Sequence, residues 1–328
     1  MTSSTVSMHA VIMHERGGAD VLRYEEMPLP VPAPGEALIR VRAATVNHPD
    51  LFHRSGRFLI HKELPHVLGM DVAGEIAGLG EGVAGWREGD RVVAAFEALG
   101  RERDGAYAEF TTVPARELHR IPDGLSYAAA ASIGLAFTTA WIALCYNTAL
   151  SGRDRVVVHA ASSGVGTSAL QIARWKRAHA LAISAPGKEV QLRALGAETV
   201  IDHNAPDLVD QVKDAFGKQG ATCVLELVGR ATLQQSIEML SPRGRIIVVG
   251  TLSGDVAQIN AMDLITKNAS IIGSMGIIRP ADFDRILALF ADGTFRPVID
   301  SVMPLREAGA AHERIESGAA FGKIVLEP

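Results

Sequence analysis

Along the first third of this chain apolar and polar residues alternate in short runs. Ala37–Ala43 is the clearest, and similar runs follow at Val72–Ile76, Gly89–Ala94 and Ala106–Val113, each cut short by glycine or proline. A period of two predicts half-buried strands, and short strands with frequent turns predict a barrel-like β unit. Pro28, Pro30, Pro32 and Pro34-Gly35 predict a stiff connector ahead of them. Beyond Pro122-Asp123-Gly124 the texture changes. The Ala-rich stretch Tyr127–Leu150 predicts helix. Apolar strands then follow at Arg155–Val158, Ala180–Ser184, Val200–Asp202, Cys223–Val228, Arg245–Gly250 and Ser270–Met275. Helical spacing fills the gaps at Thr167–Ala178, Glu189–Leu195, Leu208–Phe216 and Leu233–Leu240. Such alternation predicts an α/β unit, a doubly wound parallel sheet covered on both faces. After Met275 come a helix (Ala281–Ala291), a strand (Val298–Val302), a helix (Arg306–Ser317) and a last strand (Lys323–Leu326) that return to the first lobe. The expected organisation is a β-rich domain over 1–124, a parallel-sheet domain over 125–275, and a return over 276–328.

Composition narrows the class. A chain of 328 residues suits two lobes, and 48% apolar with 21% charged residues is the balance of a globular protein. A formal charge of −5 offers no electrostatic footprint for nucleic acid. Met1–Ser7 is polar and uncharged, so no signal peptide is expected, and no apolar run reads as long enough to cross a bilayer. Cys145 and Cys223 sit among apolar neighbours and read as reduced core residues. A cytoplasmic protein without nucleic-acid or membrane partners is expected.

The most chemically informative stretch is Arg155-Val-Val-Val-His-Ala-Ala-Ser-Ser-Gly-Val-Gly166. It predicts strand, tight turn and helix, which offers backbone N–H groups and a positive helix end to a phosphate. Ala161 and Ser163 stand where the first two glycines of a GxGxxG pattern would be. Ser163, Gly164, Val165 and Gly166 are the candidate cradle, with Gly166 allowing close helix–strand packing. Gly229 and Gly250 put small residues at two further strand ends. Enzymes that use NAD place an acid at the end of the second strand. Here Ala182–Lys188 contains none, and Ser184 and Lys188 suit a 2′-phosphate, so NADPH is the expected cofactor. An ordinary solvated lysine is the alternative for Lys188.

Leu68-Gly-Met-Asp-Val-Ala-Gly74, Val83–Val93, His159–Gly166 and Phe321-Gly-Lys-Ile-Val-Leu326, with the whole layout from Met8 to Pro328, resemble the medium-chain dehydrogenase/reductase superfamily. Within it the chain looks like the zinc-independent quinone oxidoreductase and enoyl reductase branch. The resemblance implies a GroES-like catalytic domain beside a Rossmann domain. It also implies His203 near the adenosine phosphate, Thr139 near the nicotinamide and Lys323 approaching the pyrophosphate. The zinc-binding branch would carry cysteine, Gly-His-Glu and cysteine where this chain has Asn47, Gly69-Met70-Asp71 and Leu135. An amide, a thioether and an aliphatic chain do not make a zinc shell, so no metal is expected. The spacing of His48, His53, His61 and His66 matches no metal motif and reads as loop histidines. Reductases of this branch carry a tyrosine after a Ser-Gly turn, where Ser55-Gly56-Arg57-Phe58 has phenylalanine. Asn47 and Asp50 remain as catalytic candidates, with His48, His53 and His61 as outsiders and a structural role open for Asp50. The expected activity is hydride transfer from NADPH to a quinone or α,β-unsaturated carbonyl. The alternatives are a pathway-specific enoyl or acyl reductase, or a low-turnover NADPH-binding scaffold or sensor. An apolar edge strand, Ser270–Met275, predicts a homodimer, as the resemblance also implies. The alternative is an edge covered by Gly276–Pro280.

Overall fold

The computed structural model describes residues 6–58, 62–95 and 98–328. It comprises two compact units, one from the chain up to Ala136 and from Ile278 onward, the other from Phe137 to Ile277. The first division between these units falls inside the helix Tyr127–Trp141. That helix runs on through Ile142–Tyr146, and the combined segment is long and apolar enough to cross a membrane. It is mostly buried, which makes it a core helix and corrects the expectation that no run reaches that length.

The first unit is β-rich. Ser7–Met13 pairs antiparallel with Leu22–Pro28 and with His66–Val67. A seven-stranded sheet runs Ile299–Pro304, Lys323–Glu327, Glu36–Thr45, Asp71–Leu79, Arg91–Ala95 and His119–Arg120, with Phe110–Pro114 added against Glu36–Thr45. The alternation in Glu36–Thr45 puts Ala37, Ile39 and Val41 into the core while Arg40 and Arg42 face solvent. The C-terminal strand Lys323–Glu327 pairs with the end of Glu36–Thr45, through Val325–Thr45 and Leu326–Ala44. This pairing brings Lys323 to the neighbourhood of Val46 and Asn47 across some 280 residues of sequence.

The second unit is a six-stranded parallel sheet, ordered Ala197–Asp202, His179–Ser184, Arg155–Val158, Ala221–Glu226, Leu240–Val248 and Ser270–Gly273. Val156, Val157 and Val158 on the central strand are wholly buried, as a strand covered on both faces requires. The order turns at Arg155–Val158, whose neighbours lead outward in opposite directions. Ligands bind outside the carboxyl ends of strands at such a point.

Candidate active site

In the first unit the site begins at a helix that the sequence reading took for loop. His48–Ser55 starts after Asn47, whose backbone N–H donates to Asp50 Oδ2 at 2.9 Å, and stops at Gly56, φ 77°. Asn-x-x-Asp with Pro49 in the first turn and glycine after the last are helix start and stop signals. His48 and His53 therefore lie on a helix, while His61 lies outside the described residues.

Asp50 is fully buried. Its Oδ1 accepts from Gly69 N at 3.0 Å and its carboxylate also accepts the Tyr107 hydroxyl. Burial pushes the Asp50 carboxyl up to about 7, against the pull of the two amides. Arg54 can only donate, so His312 Nδ1 accepts from it at 3.4 Å and Nε2–H donates to Tyr107 at 3.1 Å. Burial holds the His312 imidazole down at about 3, hence neutral, and the chain ends at the Arg54–Glu316 ion pair. An arginine keeps its proton, so this chain locks Asp50 in place and conducts nothing. Asp50 thus ties Asn47 to Gly69.

Asp71 is the hub that sequence reasoning missed. It is wholly buried and accepts from Thr45 Oγ1 at 2.5 Å, Asn47 Nδ2 at 2.8 Å and Leu135 N at 2.7 Å. The Leu135 amide is available because Gly134 breaks the helix Tyr127–Trp141, and a Cβ at Gly134 would collide with Asp71 Oδ1. Lys323 Nζ stands 3.5 Å from Asp71 and donates to Val46 O at 2.9 Å and Asn47 Oδ1 at 2.5 Å. Lys323 is 5% exposed, and burial lowers the basicity of its amine. Within its own unit the ammonium is held by these three partners.

The same residues occupy the positions where the zinc-binding branch would carry its ligands. Asn47 and Leu135 face Asp71, Met70 is buried in the core, and the single carboxylate already faces an ammonium. Zinc needs three or four N, S or carboxylate donors at about 2.0–2.3 Å, and this donor set does not fit it. Among the described residues no group of three or more His, Cys, Asp or Glu is placed to hold a metal ion. His48 is half-buried and held down at about 4 by burial and by Lys323, so it is neutral at pH 7. His53 is buried, its ring 4.3 Å from that of Phe58.

In the second unit Ser163 caps the helix Gly164–Trp175, accepting from Gly166 N at 3.1 Å. The first amides of a helix have no partner within it, which leaves those of Gly164 and Val165 to an outside acceptor. A Cβ on Gly166 would come within 2.5 Å of Ala160 O and 2.6 Å of Ala161 Cα. Lys188 reaches across to Ser162 Oγ at 3.2 Å. Ser184 is 3% exposed and its Oγ is a buried hydroxyl with no hydrogen-bond partner. His203 donates its backbone N–H to Ser184 O, so the second and third strand ends meet there. Asp202, in register with Ser184, is an acid the sequence reading had not weighed; its Oδ1 is turned to Asn204 N at 2.9 Å. Gly250 needs its missing side chain, since a Cβ would lie 2.6 Å from Leu227 O. Thr139 is half-buried on its helix. A glycine cradle, a helix N-terminus, an orphan hydroxyl and a lysine at one sheet end fit a pyridine dinucleotide.

A family profile described as alcohol dehydrogenase GroES-like domain matches residues 33–123, and one described as zinc-binding dehydrogenase matches 195–326. The chain is 34% identical to a quinone oxidoreductase of Lama guanicoe, over 97% of both chains. It is 30% identical to a 2-haloacrylate reductase of Burkholderia sp, over 97% of this chain and 98% of that one. A solved NAD-dependent alcohol dehydrogenase superposes with a TM-score of 0.92 at 32% identity, covering 98% of this chain and all of that one. A mycobacterial protein solved in complex with NADPH gives 0.86 at 30% identity, with the same coverage.

Proposed function

Because the chain belongs to the medium-chain dehydrogenase/reductase superfamily, in its quinone oxidoreductase branch, we propose that this pyridine-nucleotide-dependent oxidoreductase uses NADPH, without zinc, to reduce a quinone or an activated alkene. The observation that carries the metal-free part is the buried Lys323 ammonium between Asn47 and Asp71. The fixed positive charge of the site is built from the chain itself.

The bound dinucleotide supplies the hydride. The work of the residues is to hold it and to keep the reacting faces fixed and dry. Gly164 and Val165 would offer amides to the pyrophosphate, Gly166 lets the helix close on the turn, and Ser184 and Lys188 would take the 2′-phosphate. His203, Thr139 and Gly250 would border the adenosine and nicotinamide ends. Asn47, with its amide oriented by Lys323 and Asp71, would meet the acceptor. His48 is neutral, and Phe58, which replaces the family tyrosine, has no proton to give. A quinone suits that shell better than an enoyl thioester, since its reduced oxygens take protons from water.

The strand Ser270–Gly273 pairs on one side with Arg245–Val248. Ile271, Met275, Ile277, Met262 and Ile265 near it are exposed, which supports pairing with a second copy. A cytoplasmic homodimer is the working state under this proposal. Initial rates of NADPH and NADH oxidation with an ortho-quinone and with a linear enone test it. NADPH-preferring turnover of the quinone is expected, and turnover only of a long acyl substrate would favour the pathway-specific alternative.

A further inference from the structure

A single acid interrupts the apolar run Cys223-Val-Leu-Glu-Leu-Val228. In the second unit it is Glu226, the last residue of the strand Ala221–Glu226, beside the central strand at the point where the sheet order turns. Glu226 has no exposed surface. Its Oε1 accepts from Val228 N at 2.8 Å, Gly229 N at 3.0 Å and Thr232 Oγ1 at 2.8 Å, and its Oε2 from Ser236 Oγ at 2.6 Å. The Ser236 proton is spent on the carboxylate, so its oxygen accepts from His159 Nε2 at 3.0 Å, which fixes the His159 proton on Nε2. Burial disfavours the charged form of His159, whose Nε2 stands 3.8 Å from Glu226 Oε2.

A buried carboxylate is costly unless hydrogen bonds replace its water. Here four do, and they all come from the turn and helix start that follow the strand. We infer that Glu226 is a positioning residue for the nicotinamide end of the dinucleotide, shaping the turn 227–232 and with it the turn 249–254. The inference rests on the reading of this unit as the dinucleotide site.

The two turns are physically joined. Val249 N and Gly250 N both donate to Glu226 O, at 2.9 and 3.3 Å. Ser253 N donates to Val228 O at 2.8 Å, Arg230 N to Gly254 O at 3.2 Å, and Ala231 N to Ser253 Oγ at 2.9 Å. Gly229 sits at φ +86°, where a Cβ would be 2.9 Å from Gly254 O, so the turns are closed to backbone contact. Drawing two successive amides onto one oxygen sets the curvature of the first turn, and these bonds pass it to the second. The phosphate cradle, Ser184 and Lys188 lie on other strand ends and do not touch Glu226.

The test is Glu226→Gln, which keeps the shape but turns an NH₂ toward donors, with Thr232→Val as a milder variant that removes one hydroxyl. Binding of NADPH and of adenosine 2′,5′-bisphosphate is measured by fluorescence and calorimetry on the full chain. Glu226→Gln is expected to weaken NADPH about tenfold or more and Thr232→Val about fivefold, with the adenosine fragment unchanged in both. Its kcat with a quinone should fall as well, since a misplaced nicotinamide loses reaction geometry. Equal weakening of fragment and dinucleotide, or unchanged NADPH affinity in both variants, would overturn the inference. Failure of the wild-type chain to bind NADPH would instead sink the cofactor reading, and this inference with it.

Discussion

The buried pair at the first-unit site makes an asymmetric prediction. Asp71→Asn leaves the Lys323 ammonium buried with Val46 O and Asn47 Oδ1 as acceptors and without its nearest counter-charge, only the weaker pull of Asp50 remaining. Lys323→Met leaves the Asp71 carboxylate with three donors, Thr45 Oγ1, Asn47 Nδ2 and Leu135 N. Removing one partner of a buried pair costs about 3–5 kcal/mol when the other is stranded. That figure applies to Asp71→Asn. Lys323→Met should cost less, about 1–3 kcal/mol, because hydrogen bonds still satisfy the carboxylate. The double variant strands no charge, so it should be less destabilised than the sum of the singles by about 2 kcal/mol or more. Native-state hydrogen exchange on peptides spanning Ala44–Phe52 reads the first unit separately from the second. Additive costs, or a larger loss from Lys323→Met than from Asp71→Asn, would refute the reasoning that the ammonium depends on this carboxylate.

Three further outcomes follow from the same geometry. The Asp50 carboxyl is raised in the fold to about 7 from an ordinary value near 4, so the stability tied to its protonated form is full below about pH 4 and lost as pH rises through about 7; Asp50→Asn should remove up to about 4 kcal/mol of that decline, and denaturation curves of equal pH dependence in both proteins would contradict it. Lys188→Ala should weaken NADPH about tenfold while leaving NADH within twofold, as the loss of one charge-assisted contact to a 2′-phosphate predicts, and equal weakening of both would reassign Lys188 to a structural role. Gly166→Ala drives a Cβ against the Ala160 and Ala161 backbone; it should destabilise the second unit by about 1–3 kcal/mol and weaken dinucleotide binding, and wild-type thermal unfolding with wild-type affinity would contradict that.

The parallel sheet was legible because each of its buried strands is an apolar run bounded by turns. The periodicity placed Glu189–Leu195 with the bounds the structure has, and found the strand His179–Ser184 to within one residue. The helix His48–Ser55 was lost despite its caps, because eight residues rich in histidine and charge carry little apolar period. Asp71 was lost for a deeper reason: its partners at positions 45, 47, 135 and 323 converge only through strand pairing and a helix break at Gly134. Lys323 was legible as a site residue by resemblance, but its burial depended on the pairing of the last strand with Glu36–Thr45. Glu226 did carry a local signal, since a charge inside an apolar strand must find donors or unfold the strand.

Metal-free hydride transfer is tested most directly by chelation. NADPH oxidation by an ortho-quinone should proceed at the same rate before and after exhaustive dialysis against a strong chelator, with zinc added back having no effect. Loss of the rate on chelation and its recovery with zinc would contradict the account, because the site built on Lys323, Asn47 and Asp71 has no place for that ion.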